Sequence, residues 1–146
     1  MTARANNIVT PHWEHFEHQA DMGIRGYGNN LAQALEQAAL AMCAIITDLS
    51  HVQPQHSIRI HCAETDPGLL LVDWLNAIIY EIATRKMLFS RFHVHIDADG
   101  LNARIEGESI DRDKHQPAVE IKGATYTELA VYQQQDQWLA QCVVDV

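Results

Sequence analysis

Two acidic positions set the chemistry this sequence could perform. Asp21 stands two residues before Gly23 in the stretch Asp21-Met22-Gly23-Ile24-Arg25-Gly26-Tyr27-Gly28, where an exposed turn can present a carboxylate to a cation. An aspartate in a turn more often bonds to nearby backbone amides. At the other end the sequence stops at Val143-Val144-Asp145-Val146, directly after an apolar stretch, so a free terminal carboxylate on Val146 is expected beside Asp145. With the two segments as sheet neighbours, these groups offer hard oxygen ligands suited to Ca²⁺ or Mg²⁺. Three such charges would repel one another without a cation. The alternative is a strand that simply ends there, with Asp145 solvated.

Other residue types carry weaker signals. Of the nine histidines, His93 and His95 fall on one face of an alternating segment, and His15 and His18 lie on another. That spacing permits zinc without specifying it, and histidines on a strand's wet face are the commoner arrangement. His12, His51, His56 and His115 stand in loop-like contexts. Lys122 sits among apolar neighbours and is either an exposed strand charge or a functional lysine. Trp74 and Asn76 read as packing and surface positions. The run from Gly107 to His115, with Asp111, Arg112 and Asp113, reads as a mixed-charge mobile loop. No P-loop, GxGxxG, GxSxG or HExxH pattern occurs, which argues against nucleotide hydrolysis and hydride transfer.

The elements that must position these groups can be read from periodicity. A loose tail is expected over residues 1–11, ending in Pro11. A weakly alternating strand follows over 13–18 and runs into the glycine-punctuated stretch. Asn30 and Gln33 fit a capping box, and Leu31, Leu35, Ala38, Met42, Ile45 and Leu49 recur at helical spacing, predicting a first helix over about 31–49. Ile58, Ile60 and Cys62 alternate as a half-buried strand. Asp66-Pro67 opens a second helix with an apolar stripe of Leu71, Leu75, Ile78 and Ile82, ending near Lys86. Phe92, Val94 and Ile96 alternate up to the turn Asp99-Gly100, and Leu101, Ala103 and Ile105 form the returning strand. Two more strands are expected around 119–125 and 138–144, the last apolar on both faces apart from Gln141 and therefore central. Two amphipathic helices on a largely antiparallel sheet make an α+β two-layer sandwich.

Composition bounds the rest. At 146 residues, with 47% hydrophobic and 20% charged residues, the chain is one domain with an ordinary globular balance. A formal net charge of −9 disfavours tight direct binding to a nucleic acid and suits a divalent cation or a basic protein partner, although solubility alone accounts for many acidic chains. Cys43, Cys62 and Cys142 are far apart without CxxC spacing and read as reduced core thiols. There is no segment of signal-peptide or membrane-span character, which points to a cytoplasmic protein without membrane association.

The order of motifs resembles the archease family over nearly the whole chain, from Phe16 to Val146. Phe16-Glu17-His18-Gln19-Ala20-Asp21-Met22-Gly23-Ile24 is similar to the family's opening FEHTADxGI, and Leu70-Leu71-Val72-Asp73-Trp74-Leu75-Asn76 to its LLVDWLN helix. Leu88-Phe89-Ser90-Arg91-Phe92, Gly107-Glu108 with Asp111 and His115 downstream, Lys122-Gly123-Ala124-Thr125-Tyr126 and the final Asp145-Val146 follow in order. Two departures are Gln19 for the usual Thr, beside the presumed metal residue, and Gly123 for the usual Ala. The resemblance implies a divalent cation, with Ca²⁺ first and Mg²⁺ or Mn²⁺ as options, held by Asp21, Asp145 and Val146. It also implies a partner: the GTP-dependent ligase that joins RNA 3′-phosphate or 2′,3′-cyclic phosphate ends to 5′-hydroxyl ends in tRNA splicing and RNA repair. The protein would then be an activator, not an enzyme, that promotes ligase guanylylation and multiple turnover. Two other readings are a structural or chaperone-like module whose C-terminus the cation staples to the sheet, and a metal-dependent phosphoesterase.

Overall fold

The computed structural model describes residues 9–146. In chain order they form β1 (His12–His18), β2 (Asp21–Gly28), α1 (Leu31–Ile46), β3 (His56–Cys62), α2 (Pro67–Arg85), β4 (Met87–Asp97), β5 (Gly100–Ser109), α3 (Arg112–His115), β6 (Gly123–Ala124), β7 (Ala130–Gln134) and β8 (Gln137–Asp145). The architecture is an α+β sandwich. All strand pairings are antiparallel, and the strands divide into a five-stranded sheet (β1-β2-β8-β6, with β7 also on β8) and a three-stranded sheet (β3-β5-β4). No helix among the described residues is long and apolar enough to cross a membrane.

The helix starts follow local chemistry. Asn30 caps α1 by accepting from the Gln33 N–H at 2.9 Å, and the Gln33 side chain reaches back to the Asn29 N–H at 2.8 Å, so two orphan donors are satisfied. Asp66 caps α2 by accepting from the Leu69 N–H at 3.0 Å, with Pro67 at the first helical position. Lys86 closes α2 in the left-handed region (φ 55°). The expected first helix to residue 49 stops earlier, at Ile46. Thr47 turns to extended backbone, donates its hydroxyl to the His115 carbonyl at 2.6 Å, and leaves Leu49–His51 as a separate single 3₁₀ turn. Residues 1–8 of the expected tail lie outside the described residues. Val9 is held at both its N–H and carbonyl by the Asn29 amide at 2.6 Å.

Burial explains how the layers meet. Helix α1 packs on β2 and β8 and also on β4, so Ala34, Leu35, Ala38, Ala39, Ala41 and Met42 are all fully buried. Trp74 of α2 is fully buried and donates its indole N–H to the Leu35 carbonyl at 2.9 Å, joining the two helices. Strand β8 lies between β2 on one edge and β6 and β7 on the other, the central place its two-sided apolar pattern requires.

The approach of α1 to β2 depends on Gly26. A Cβ there would lie 2.4 Å from both the Ala34 carbonyl oxygen and the Ala38 backbone nitrogen. Backbone atoms inside a helix have no rotamer with which to move aside. Gly26→Ala is expected to destabilise the fold by about 3 kcal/mol, a fall in Tm of roughly 6–12 °C, readable by calorimetry. A Tm within 2 °C or so of wild type would show that α1 can slide off β2 freely.

Candidate carboxylate site at the sheet end

Strands β1 and β2 are joined by the two-residue turn Gln19-Ala20, with Gln19 in the left-handed region (φ 53°) and His18 paired opposite Asp21. On the other side of β2, Met22 pairs with Val144. The β2–β8 ladder ends at that pair, and Asp21 and Asp145 are the next residues on the two strands. Continued by one step, the antiparallel register would direct both side chains to one side of the sheet. The Val146 N–H donates to Asp21 Oδ1 in a long contact of 3.4 Å, which brings the last residue to the same point.

The third edge of the site is built by α2. Asn76 Oδ1 accepts from the Ala124 N–H at 2.9 Å, tying β6 to the helix. Gly123 pairs with Asp145, and the Lys122 N–H donates to the Asp145 carbonyl at 2.8 Å. Asp145 is therefore fixed through its backbone by the β6 segment while its side chain stays exposed. The Gly123 departure is sterically innocuous: a Cβ there would meet only Asn76 Oδ1, at an ordinary 3.7 Å. Gln19 is exposed at the turn beside Asp21. Asn76 is exposed, as read from the sequence, and its side chain also meets the β6 backbone, a contact its place on the helix gave no hint of.

The donors at this sheet end are all oxygen, which fits a hard cation better than zinc. Among the described residues no three His, Cys, Asp or Glu side chains come close enough to hold a metal. The sheet end contributes two such side chains, Asp21 and Asp145, with the Val146 backbone beside the first of them. The histidines are used otherwise. His15 Nε2 bonds the Ala41 carbonyl at 2.7 Å, His93 Nε2 bonds Glu106 Oε1 at 2.6 Å, and His95 Nε2 lies 3.8 Å from Asp97. The three cysteines are free and buried, and desolvation pushes the Cys43 and Cys142 thiols up to about 12.

The segment read as a mobile charged loop is instead ordered around a buried carboxylate. Glu108 lies on β5, and its Oε2 receives the Gln53 N–H at 2.8 Å, the Lys114 ammonium at 2.8 Å and His115 Nε2 at 3.0 Å. His115 is 2% exposed, and its Nδ1 accepts from the Asp111 N–H at 2.9 Å, which leaves the ring proton on Nε2 for Glu108. Asp111 caps α3 by accepting from the Asp113 and Lys114 N–H groups. The backbone N–H of Gln53 and the Lys114 ammonium hold the Glu108 carboxyl at about 2, well below its ordinary value, with His115 adding to them. Polarity concealed this order in the sequence, because a cap and a buried ion cluster have the same composition as a solvated loop.

The fold is thus a compact α+β module in which the end of β2 meets the residue after β8. Comparison with known proteins gives the family. Residues 13–146 match the model of the Archease protein family. Protein archease of Sulfurisphaera tokodaii is 35% identical over 136 residues, covering 92% of this chain and 98% of that protein. Protein archease of Pyrococcus furiosus is 36% identical over 139 residues with the same coverage. The solution structure of Methanobacterium thermoautotrophicum protein 1598 superposes with a TM-score of 0.76 at 28% identity, covering 92% of this chain and 98% of that one. The chain belongs to the archease family.

Proposed function

We propose that this protein is a protein cofactor of a GTP-dependent RNA ligase, holding a divalent cation at Asp21, Asp145 and Val146 and promoting guanylylation of the ligase so that it turns over repeatedly in tRNA splicing or RNA repair. The observation that carries this reading is the meeting of Asp21 with Val146 just past the end of β8, beyond the last pair of the β2–β8 ladder, Met22–Val144. Family membership supports an accessory role, and the ligase as partner is what the resemblance of the motifs implies.

In this reading the chain's own residues perform three tasks. Asn76 and the β6 backbone hold the end of β8 in place. Asp21 and Asp145 present hard oxygens on one face. The remainder of the acidic surface faces a basic partner, steering the encounter by long-range attraction. A cation bound there, most simply Ca²⁺ with Mg²⁺ or Mn²⁺ as alternatives, would supply positive charge where phosphate oxygens of the nucleotide gather.

Product formed per ligase molecule, with GTP in excess, tests the reading. Wild-type protein is expected to raise product well above one equivalent. Asp145→Ala, and a chain extended beyond Val146, are expected to leave it near one. If neither wild type nor variant changes turnover while added Ca²⁺ still raises the Tm, the cation only staples the terminus to the sheet.

A further inference from the structure

The outer face of the three-stranded sheet carries a charge opposite to that of the whole chain. Alternation along β3, β4 and β5 turns Ile58, Ile60, Phe92, Leu101, Ala103 and Ile105 toward the interior and leaves the intervening residues facing out. Those outward positions form three cross-strand rows. In the middle row Arg59 stands opposite Arg104, and Arg104 opposite His93. Above it His61 faces Asn102, which faces His95; below it Ser57 faces Glu106, which faces Arg91.

Three of the chain's ten basic residues therefore lie on one small sheet face within a protein of net charge −9. Arg59 and Arg104 are both exposed, and neither guanidinium has a hydrogen bond or ion pair among the described residues. Like charges directly opposite across an antiparallel pair destabilise a sheet, so this pairing costs stability that an anion on the face would return. Glu106, the one acid among the three rows, is engaged by His93 at 2.6 Å and attracted by Arg104 and Arg91; Asp97, one row further out, lies 3.8 Å from His95, so Arg59 is the basic group on this face with the least local compensation.

We infer that this face binds the backbone of single-stranded nucleic acid, weakly and without sequence preference. The cationic groups are spaced by ~4.8 Å across strands and ~6.7 Å along them, on a flat surface that an extended strand of nucleotides can follow. Guanidinium and imidazole planes of Arg59, Arg104, His61 and His95 can also stack on bases, which an acidic peptide does not offer in return. The remaining negative surface keeps the binding weak, because long-range repulsion opposes the local attraction. The inference is independent of the ligase reading, since the face lies on a different sheet from Asp21 and Asp145 and its test contains no ligase.

The experiment is fluorescence anisotropy of a fluorescein-labelled ten-nucleotide single-stranded RNA titrated with the full chain at low and moderate salt. Engagement of two to three phosphates gives a slope of log affinity against log salt of about −1.4 to −2.1. The double variant Arg59→Gln, Arg104→Gln is expected to weaken binding about tenfold at low salt and to reduce the slope by about 1.4. Arg85→Gln, on α2 and paired with Glu81, is expected to leave both unchanged. Circular dichroism of each variant checks that the fold is retained. Absence of binding at low salt, or binding that the double variant leaves unaltered, overturns the inference. So does displacement of the RNA by oligoglutamate at equal charge concentration, which would assign the face to an acidic protein instead.

Discussion

Replacing Asp21 and Asp145 together by asparagine is expected, on the proposed cation site, to weaken Ca²⁺ binding by about a hundredfold or more, because affinity at an oxygen site follows the number of charged ligands. The same double variant is expected to melt at a temperature equal to or above that of wild type in the presence of a chelator. Both results follow from continuing the β2–β8 register one step beyond the Met22–Val144 pair. Two carboxylates about 4 Å apart in a solvated setting would repel by about 1 kcal/mol without a cation. Asparagine keeps an acceptor for the Val146 N–H, which reaches Asp21 Oδ1 at 3.4 Å, so the strand end itself is not undone. Titration calorimetry gives the affinity, and melting curves with Ca²⁺ or chelator give the stability. Unchanged Ca²⁺ affinity in the double variant would move the cation elsewhere. A variant that loses stability even with chelator would make the carboxylates structural partners of the terminus.

Glu108→Gln is expected to cost about 2–3 kcal/mol at pH 7, within the range for hydrogen bonds to a charged group. One carboxylate oxygen receives three donors, from Gln53, Lys114 and His115, and Glu108 is only 8% exposed. The amide of glutamine can set its oxygen where the three donors converge, but that oxygen is uncharged and no longer balances the Lys114 ammonium. The pH dependence has a definite sign. The folded carboxyl titrates at about 2 against an ordinary 4.5, so its stabilising contribution is complete above about pH 5 and is lost as pH falls toward 2. Wild type and Glu108→Gln should thus differ fully at neutral pH and converge in acid. Denaturant unfolding of both proteins between pH 7 and pH 2.5 measures this; a difference independent of pH would mean that packing, and not ionisation, sets the cost.

How much of this was legible beforehand differs between elements for physical reasons. Asn30 and Asp66-Pro67 act within three residues of themselves, so both helix starts were readable from local chemistry. The early stop of α1 was not, because Thr47 is turned by a hydrogen bond to His115, 68 positions away. The expected strand over 119–125 shrinks to Gly123–Ala124, and β7 went unread because Gln133 and Gln134 give it no apolar alternation beyond Val131. That strand exists because the central β8 offers it an edge.

The same division holds for function. The order of short motifs in the sequence by itself determined the family, the acidic character of the chain and the candidacy of Asp21, Asp145 and Val146, since residue identity and spacing are written in one dimension. Only the tertiary structure decided that Asp21 reaches Val146 across 125 positions, that Glu108 and His115 are buried together, and that Arg59, Arg91 and Arg104 share one face. Net charge is a sum over the chain, whereas a binding surface depends on which charges strand pairing brings side by side.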